Sequence, residues 1–374
     1  MSGDSADTDT YALKSGDLPK ISAPQIAYQP PMPRSYRPRI GLIGTGGISD
    51  SHLDAYRSAG WDVVAFWNRS QDKARQKAAK FYPTAKVHQD LDDLLTDGSI
   101  DVVDITLPTE VRAPVVRAAI LAGKHVLSQK PFVSDLSTGE ELVRLAEQQG
   151  VYLAVNQNGR WAPHMAWIRE ACRAGIIGDV LSIHAAVHWN HGWTAGTPFD
   201  EIEDLILYDF GIHWFDFLAS LVGNRAQSVF ATAAKARGQA NKVPLMAQAQ
   251  IRLDGGQASL VFDGGVPRGA LDTTYVSGTG GSILSQGPDL GAQSVTLTTA
   301  KGIARPTLTG TWFNDGFRGA MGELLCAIED DREPSNSARD NLNSLALAFA
   351  AIHSRQSGQE TAVGHARNLH AAPA

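Results

Sequence analysis

The chain is short of cysteine, of long apolar runs and of excess charge, and each shortage removes a class of protein. Two cysteines in 374 residues, Cys172 and Cys326, make neither a disulfide framework nor a metal-ligand spacing. Both stand in helical patterns beside apolar neighbours, which predicts buried, inert thiols. No stretch approaches the apolar length of a membrane span, so no membrane partner is expected. The N-terminus, MSGDSADTDT, has no cationic segment and no apolar one behind it, and cytoplasmic residence is expected. A formal net charge of -6 without any basic stripe gives no reason to expect nucleic acid. No internal repeat is visible. Hydrophobic content of 43% and charged content of 19% are ordinary for a globular enzyme, and 374 residues suffice for two domains.

What is present is organised around Pro38 to Ser70. Ile40-Gly41-Leu42-Ile43 is an apolar run, broken by Gly44-Thr45-Gly46-Gly47. Ile48, His52, Ala55, Tyr56 and Ala59 follow at helical spacing until Gly60, and Trp61 to Trp67 reads as a second buried strand. Strand, glycine turn, helix and strand form the unit that seats a pyrophosphate on a helix N-terminus. Gly44 allows the tight turn, Gly46 lets backbone approach phosphate, and Ser49 is the small residue at the third glycine position. The competing reading is a plain tight turn. The flanking strand and helix favour the dinucleotide.

The same grammar continues to Gln157, with Gly98, Gly123 and Gly150 each placed between a helix and an apolar strand. Near-continuous apolar strands alternating with helices predict a parallel sheet covered on both faces, a Rossmann domain over 38–157. After Trp161 the pattern changes to one helix, Ala162 to Ala174, and then longer alternating strands. These run Val180 to His188, Ala226 to Ala236, Leu245 to Leu253 and Gln257 to Phe262, with Asp254-Gly255-Gly256 as a hairpin turn. Further turns at Asp263-Gly264-Gly265 and Gly278 to Gly281 predict a large, mostly antiparallel open sheet. Two helical patterns, Phe317 to Glu329 and Asp340 to Ser354, close an α+β domain over 158–374. Residues 1–37 are a leader with a Pro-rich part, Tyr28 to Pro33, either a disordered tail or an arm that packs on a neighbouring subunit.

A carboxylate is missing where an NAD site usually has one, roughly 20 residues after the glycines. Asn68 stands there, followed by Arg69 and Ser70. A carboxylate would repel a 2′-phosphate, whereas Arg69 can bond it, so NADP(H) is favoured and NAD(H) is the alternative. The competing reading is a solvated arginine and a helix N-cap at Ser70. Lys130, in Ser128-Gln129-Lys130-Pro131, follows a strand whose C-terminal end faces the ligand crevice. It can point its ammonium at a nicotinamide and a reacting oxygen, or be a loop lysine. Asp209, His213 and Asp216 lie at helical spacing on one face, where an acid can orient a histidine and favour its protonated form. Such a histidine can accept a hydroxyl proton; a buried structural histidine is the other reading. No third ligand is evident for a metal. Trp189, His191, Trp193 and Trp312 suit a sugar's CH face and hydroxyls, or core packing.

Together, Gly44-Thr45-Gly46-Gly47-Ile48, Gln129-Lys130-Pro131, Asn158-Gly159-Arg160-Trp161 and Asp209 to Asp216 resemble the glucose–fructose oxidoreductase/inositol dehydrogenase family (Gfo/Idh/MocA), from about Pro38 onward and in the expected order. The family's EKP motif is QKP here, with Gln129 for the usual glutamate, and Arg112 stands where a histidine is often found after Pro108. The resemblance implies Lys130, Asp209 and His213 as catalytic set. His213 would be the acid/base, Lys130 would polarise the reacting oxygen, and Asp209 would hold substrate and tune His213. It implies cofactor contacts from Gly44 to Ile48, Asn68 to Ser70, Thr106, Pro108, Arg112, Gln129, Lys130 and Gln157. Substrate contacts would come from Asn158, Arg160, Trp189, Trp193 and Trp312. The implied activity is hydride transfer between the nicotinamide and a sugar or polyol, in a homodimer or homotetramer formed through the open sheet. Two alternatives stay open: a redox-neutral enzyme that retains its nicotinamide to assist glycosidic cleavage, and a non-catalytic cofactor-binding regulator.

Overall fold

The structure, a computed structural model, describes residues 18–369; residues 1–17 of the leader and residues 370–374 lie outside the described residues. Over 38–157 the elements alternate: β1 (Arg39–Ile43), α1 (Ser49–Ala59), β2 (Asp62–Trp67), α2 (Gln71–Phe81), β3 (Lys86–Val87), α3 (Leu91–Leu95), β4 (Val102–Ile105), α4 (Thr109–Leu121), β5 (His125–Gln129), α5 (Leu136–Gln149) and β6 (Leu153–Asn156). The strands run parallel in the order β3-β2-β1-β4-β5-β6. Strand order reverses between β1 and β4, so the residues just past them, Gly44 and Thr106, flank the crevice that such a sheet offers a ligand. Gly60, Gly123 and Gly150 adopt left-handed φ of 71°, 73° and 66° beyond their helices, as expected. Gly98 does not act this way, because α3 has already ended at Leu95 with Thr96 as its cap.

The second half opens with a 3₁₀ turn, Asn158–Trp161, followed by α6 (Pro163–Arg173) and β7 (Val180–His188). A π-helical turn, Ile206–Phe210, runs directly into α7 (Ile212–Val222). Then come β8 (Ala226–Ala234), β9 (Met246–Leu253), β10 (Gly256–Asp263), β11 (Leu271–Gly278), β12 (Gly281–Gly287), β13 (Ser294–Thr299), β14 (Gly302–Ala304), α8 (Trp312–Asp330), α9 (Ala338–Ser357) and β15 (Thr361–Ala362). These nine strands form one sheet in the order β14-β13-β12-β11-β7-β10-β9-β8-β15. Only β7 and β10 pair in parallel; the other neighbours are antiparallel. Alternation is clean in β9, where Ala247, Ala249, Ile251 and Leu253 are buried and Gln248, Gln250 and Arg252 are exposed. Helices α7 and α9 lie against this sheet on β7 and β8.

Helix α8 returns to the first domain. Its Phe317, Met321, Leu324 and Leu325 share a buried cluster with Leu42, Tyr56, Trp61 and Phe66. The change of pattern at 157/158 is therefore a boundary in sequence, while the Rossmann core is completed by a helix from the far end of the chain. The described part of the leader, 18–37, makes hydrogen bonds along its own chain. Ile21 N–H donates to Ile303 O at 2.9 Å, and Gln29 Nε2 donates to Thr309 O at 3.2 Å. The backbone N–H groups of Arg34, Ser35 and Tyr36 converge on the Glu329 carboxylate, which they pull down to about 2. Cys326 is buried as expected and Cys172 is half-buried; burial pushes the Cys172 thiol up to about 12 and the Cys326 thiol up to about 11.

Candidate active site

Past β1 the chain turns at Gly44 with φ of 99°, and a Cβ there would lie 3.0 Å from Thr106 Oγ1. Thr106 Oγ1 donates to Gly44 O at 2.8 Å, so this threonine closes the turn. Gly46 and Gly47 serve differently, because a Cβ at either would meet nothing within 4 Å. They face a cleft of about 340 Å³, whose other walls are Thr45 and the segment Asn68-Arg69-Ser70 with Lys73. Asn68 Oδ1 accepts from Thr45 N–H at 3.4 Å, and its amide donates to Ser70 O at 3.1 Å. Ser70 stands at the N-cap of α2 without a side-chain capping bond. Arg69 and Lys73 are exposed, and among the described residues neither has a partner. Lys73 was not singled out from the sequence, although its place four residues after Arg69, on the first turn of α2, was a usable signal. Thr45 Oγ1 and both amide atoms of Gln157 are buried and unpartnered at this end of the sheet. Ile48 is half-buried beside the turn, and Pro108 is the N-cap of α4.

Across the sheet, the chain leaves β5 at Gln129 and enters the cis Lys130–Pro131 peptide. Lys130 Nζ donates to Asp209 O at 2.8 Å and pairs with Asp209 Oδ2 at 3.3 Å. Asp209 is bonded to Lys130, and it lies in a π turn, sealed by Gly211 N–H to Ile206 O at 2.7 Å, ahead of α7 and not on one regular helix with His213. His213 is 7% exposed, with Nδ1 buried near Gly159 and unpartnered. Burial, and then the charge of Lys130, push its imidazole well below the ordinary histidine range, so it is neutral at pH 7. That is the reverse of an acid-supported imidazolium. Asp216, the third residue of the expected face, points elsewhere, into the ion pair with Arg160.

The His213 ring meets Trp312 edge-on at 5.3 Å, and Trp312 Nε1 donates to Asn158 Oδ1 at 3.3 Å. Trp189 packs 6.4 Å from Trp312. Trp193 is at the rim, 57% exposed, against Phe199 and Phe210. Lys130, Asp209, His213, Asn158, Trp312 and Trp189 are thus brought together. Arg160 is not among them: its guanidinium is buried and bonded to Asp216, Asp340 and Ser335 O. A larger cavity of about 820 Å³, between the start of α6 and the β12–β13 loop, contains none of these residues.

Two domain models of one family match this chain in sequence. Residues 38–157 match the Gfo/Idh/MocA model described as an oxidoreductase family with an NAD-binding Rossmann fold, and residues 165–284 match its C-terminal domain. The chain belongs to the Gfo/Idh/MocA family. An uncharacterized oxidoreductase from Schizosaccharomyces pombe is 30% identical over 196 residues, 52% of each chain, so the match spans about half of that relative. A 1,5-anhydro-D-fructose reductase from Ensifer adhaerens is 27% identical over 86% of this chain and 97% of its own. An inositol 2-dehydrogenase from Rhizobium meliloti is 27% identical over 84% of this chain and 96% of its own. An oxidoreductase from Agrobacterium radiobacter, solved with NAD+, L-tartaric acid and magnesium, superposes with a TM-score of 0.78 at 21% identity, covering 88% of this chain and 99% of that one. This last likeness is one of fold.

Two departures from the Gfo/Idh/MocA pattern find a physical account. Arg112 is 2% exposed, and its Nη1 donates to Gln129 O at 2.6 Å and also to Pro131 O. Its Nε and Nη2 both donate to Leu107 O, at 2.8 and 2.6 Å. The guanidinium, pulled down by burial to about 10, donates to backbone carbonyls. It grips the carbonyl side of the Lys130 turn. Gln129, in place of the usual glutamate, is likewise 6% exposed and faces the protein interior.

Proposed function

We propose that this protein transfers hydride between a nicotinamide dinucleotide, NADP(H) in preference to NAD(H), and a hydroxyl-bearing carbon of a sugar or polyol. The observation that carries the reading is a pair of cations, Arg69 and Lys73, without partners among the described residues, beside a glycine-walled cleft, with Lys130, Asp209 and His213 beyond the C-terminal ends of the same sheet. The residues fit the cofactor. Gly46 and Gly47 leave open space where side chains would stand, and Thr45 and Gln157 hold buried polar atoms in need of partners. Bound nicotinamide supplies a hydride acceptor or donor at its C4. The protein's own groups move the proton. In oxidation, neutral His213 accepts the hydroxyl proton at Nε2, while the Lys130 ammonium stabilises developing negative charge on the same oxygen. Asp209 fixes that ammonium, and Trp312, Asn158 and Trp189 hold the substrate ring, with Trp193 at the entrance.

The test is a panel of aldoses, ketoses and polyols, including 1,5-anhydro-D-fructose and myo-inositol, assayed with NADP(H) and NAD(H) by nicotinamide absorbance. Stoichiometric cofactor turnover with a panel member is expected. Glycoside cleavage without net change in the nicotinamide would instead favour the redox-neutral alternative. The cofactor preference has its own check. Replacing Arg69 and Lys73 by alanine removes two charge-assisted contacts of about 1.5–3 kcal/mol each, so NADPH affinity should fall at least about a hundredfold with NADH affinity nearly unchanged. Equal losses for both cofactors would argue against a 2′-phosphate site. The outward face of the nine-stranded sheet exposes Phe230, Leu271 and Tyr275, which supports pairing of two copies through it; sedimentation at rising concentration reads this out.

A further inference from the structure

Beneath the Lys130 turn lies a polar network that the roles above do not use. His52 of α1 and Asp104 of β4 are 0% exposed and bonded to each other, and His52 meets Gln129 of β5 and Asn156 of β6 in the interior. Gln129 Oε1 accepts from the Lys130 backbone N–H at 2.7 Å, so the amide nitrogen of Gln129 is the atom that faces His52 Nε2, at 3.1 Å. Asn156 Nδ2 approaches the same ring nitrogen at 3.1 Å and also donates to Gln129 Oε1 at 3.2 Å. With N–H donors on that side, Nε2 carries the lone pair and the ring proton is on Nδ1, which donates to Asp104 Oδ2 at 2.7 Å. Tyr56 OH donates to the same carboxylate oxygen at 2.7 Å. One neutral tautomer of His52 fits this arrangement, with the single Nε2 lone pair shared by the two amide donors. A glutamate at 129 would set an acceptor against that lone pair, so glutamine and this tautomer belong together.

We propose that His52 is a positioning residue for Lys130, an inference that rests on the reading of Lys130 as catalytic. His52 Nε2 holds the Gln129 amide, Gln129 Oε1 holds the Lys130 N–H, and the lysine ammonium is thereby kept on Asp209. Arg112 holds the carbonyls on the other side of the same turn. Because a long flexible side chain is aimed mainly by its backbone, a small tilt of this turn displaces the ammonium from the reacting oxygen. Helix α1 starts at the glycine turn of the cofactor cleft, so a single helix carries both that seat and the support of the lysine.

The experiment compares full-length wild type, His52→Leu, His52→Gln and Lys130→Met. It measures kcat and KM with the fastest panel substrate, NADPH Kd by fluorescence, and the Lys130–Asp209 contact by crystallography. His52→Leu should lower kcat at least about tenfold, with KM and NADPH Kd held within about threefold, and the lysine should leave Asp209. His52→Gln, whose Oε1 can stand where Nε2 stands, should recover kcat to within about threefold of wild type and keep the contact. Wild-type kcat in His52→Leu, or a folded His52→Gln that loses about tenfold or more, overturns the proposal, and the glutamine variant decides alone if the leucine variant does not fold. Wild-type turnover in Lys130→Met overturns the catalytic reading itself. An inactive Lys130→Met beside a fully active His52→Leu overturns only the role of His52.

Discussion

Alanine in place of His213 should lower turnover about a thousandfold, within the 10²–10⁴ that a positioned acid/base typically contributes. Cofactor affinity should stay within about threefold, because the cleft of Arg69 and Lys73 shares no residue with His213. The pH profile gives this prediction its sign. Protonated His213 cannot accept a proton, so oxidation fails only as pH falls through the value of the folded imidazole. Burial first, and the Lys130 charge second, place that value well below the ordinary histidine range. The acid limb of kcat/KM for oxidation therefore lies below pH ~6.5 in the wild type and is lost from the residual activity of His213→Ala. An alanine variant with wild-type turnover, or a limb that survives the substitution, would remove His213 from the reaction.

The largest effect on stability should come from Arg160→Met. Arg160 is 4% exposed and Asp216 1% exposed, and two parallel bonds join them at 2.6 and 2.8 Å. Arg160 also reaches Asp340 Oδ2 at 2.6 Å, while Asp216 accepts from Ser344 Oγ at 2.8 Å. Burial alone would weaken the guanidinium's charge, but the Asp216 and Asp340 carboxylates outweigh it and hold Arg160 above the ordinary arginine value. The network ties the 3₁₀ turn at Asn158–Trp161 to α7 and α9, which is how the segment bearing His213 is seated against Asn158. Methionine fills the volume but leaves Asp216 as a buried charge short of its main partner, at a cost of about 3–5 kcal/mol. The midpoint of denaturant unfolding should fall with little change in slope, and adding Asp216→Leu to Arg160→Met should recover part of the loss. A midpoint unchanged by Arg160→Met would mean that the ion pair contributes little beyond its packing.

These two arginines and the π turn also mark where sequence and structure part. The Rossmann half is legible because strands covered on both faces read as continuous apolar runs and because glycines end most of its helices. Strands β7 to β10 are legible by alternation. Strands β11 to β14 are weaker signals: Thr273, Thr274, Ser277, Ser282, Ser285, Thr296 and Thr298 blur the contrast between faces. Helical spacing placed Asp209 over His213, but Asp209 lies in a π turn, which takes one residue more per hydrogen-bonded ring, and is bonded to Lys130. The resemblance implied Arg112 and Arg160 as ligand contacts, but a sequence shows a charge and not its partners: Arg112 donates to backbone carbonyls and Arg160 pairs with Asp216 and Asp340. The network of His52, Asp104, Gln129 and Asn156 is drawn from four separate elements, and only the fold assembles it.

The most direct test of the account is a parallel titration of cofactor-stripped protein with NADPH and NADH. The cleft of Gly46, Gly47, Arg69 and Lys73, with no carboxylate at position 68, predicts clearly tighter binding of NADPH. Tighter binding of NADH would contradict the reading of Arg69 and Lys73. Binding of neither would contradict the assignment of a nicotinamide enzyme altogether.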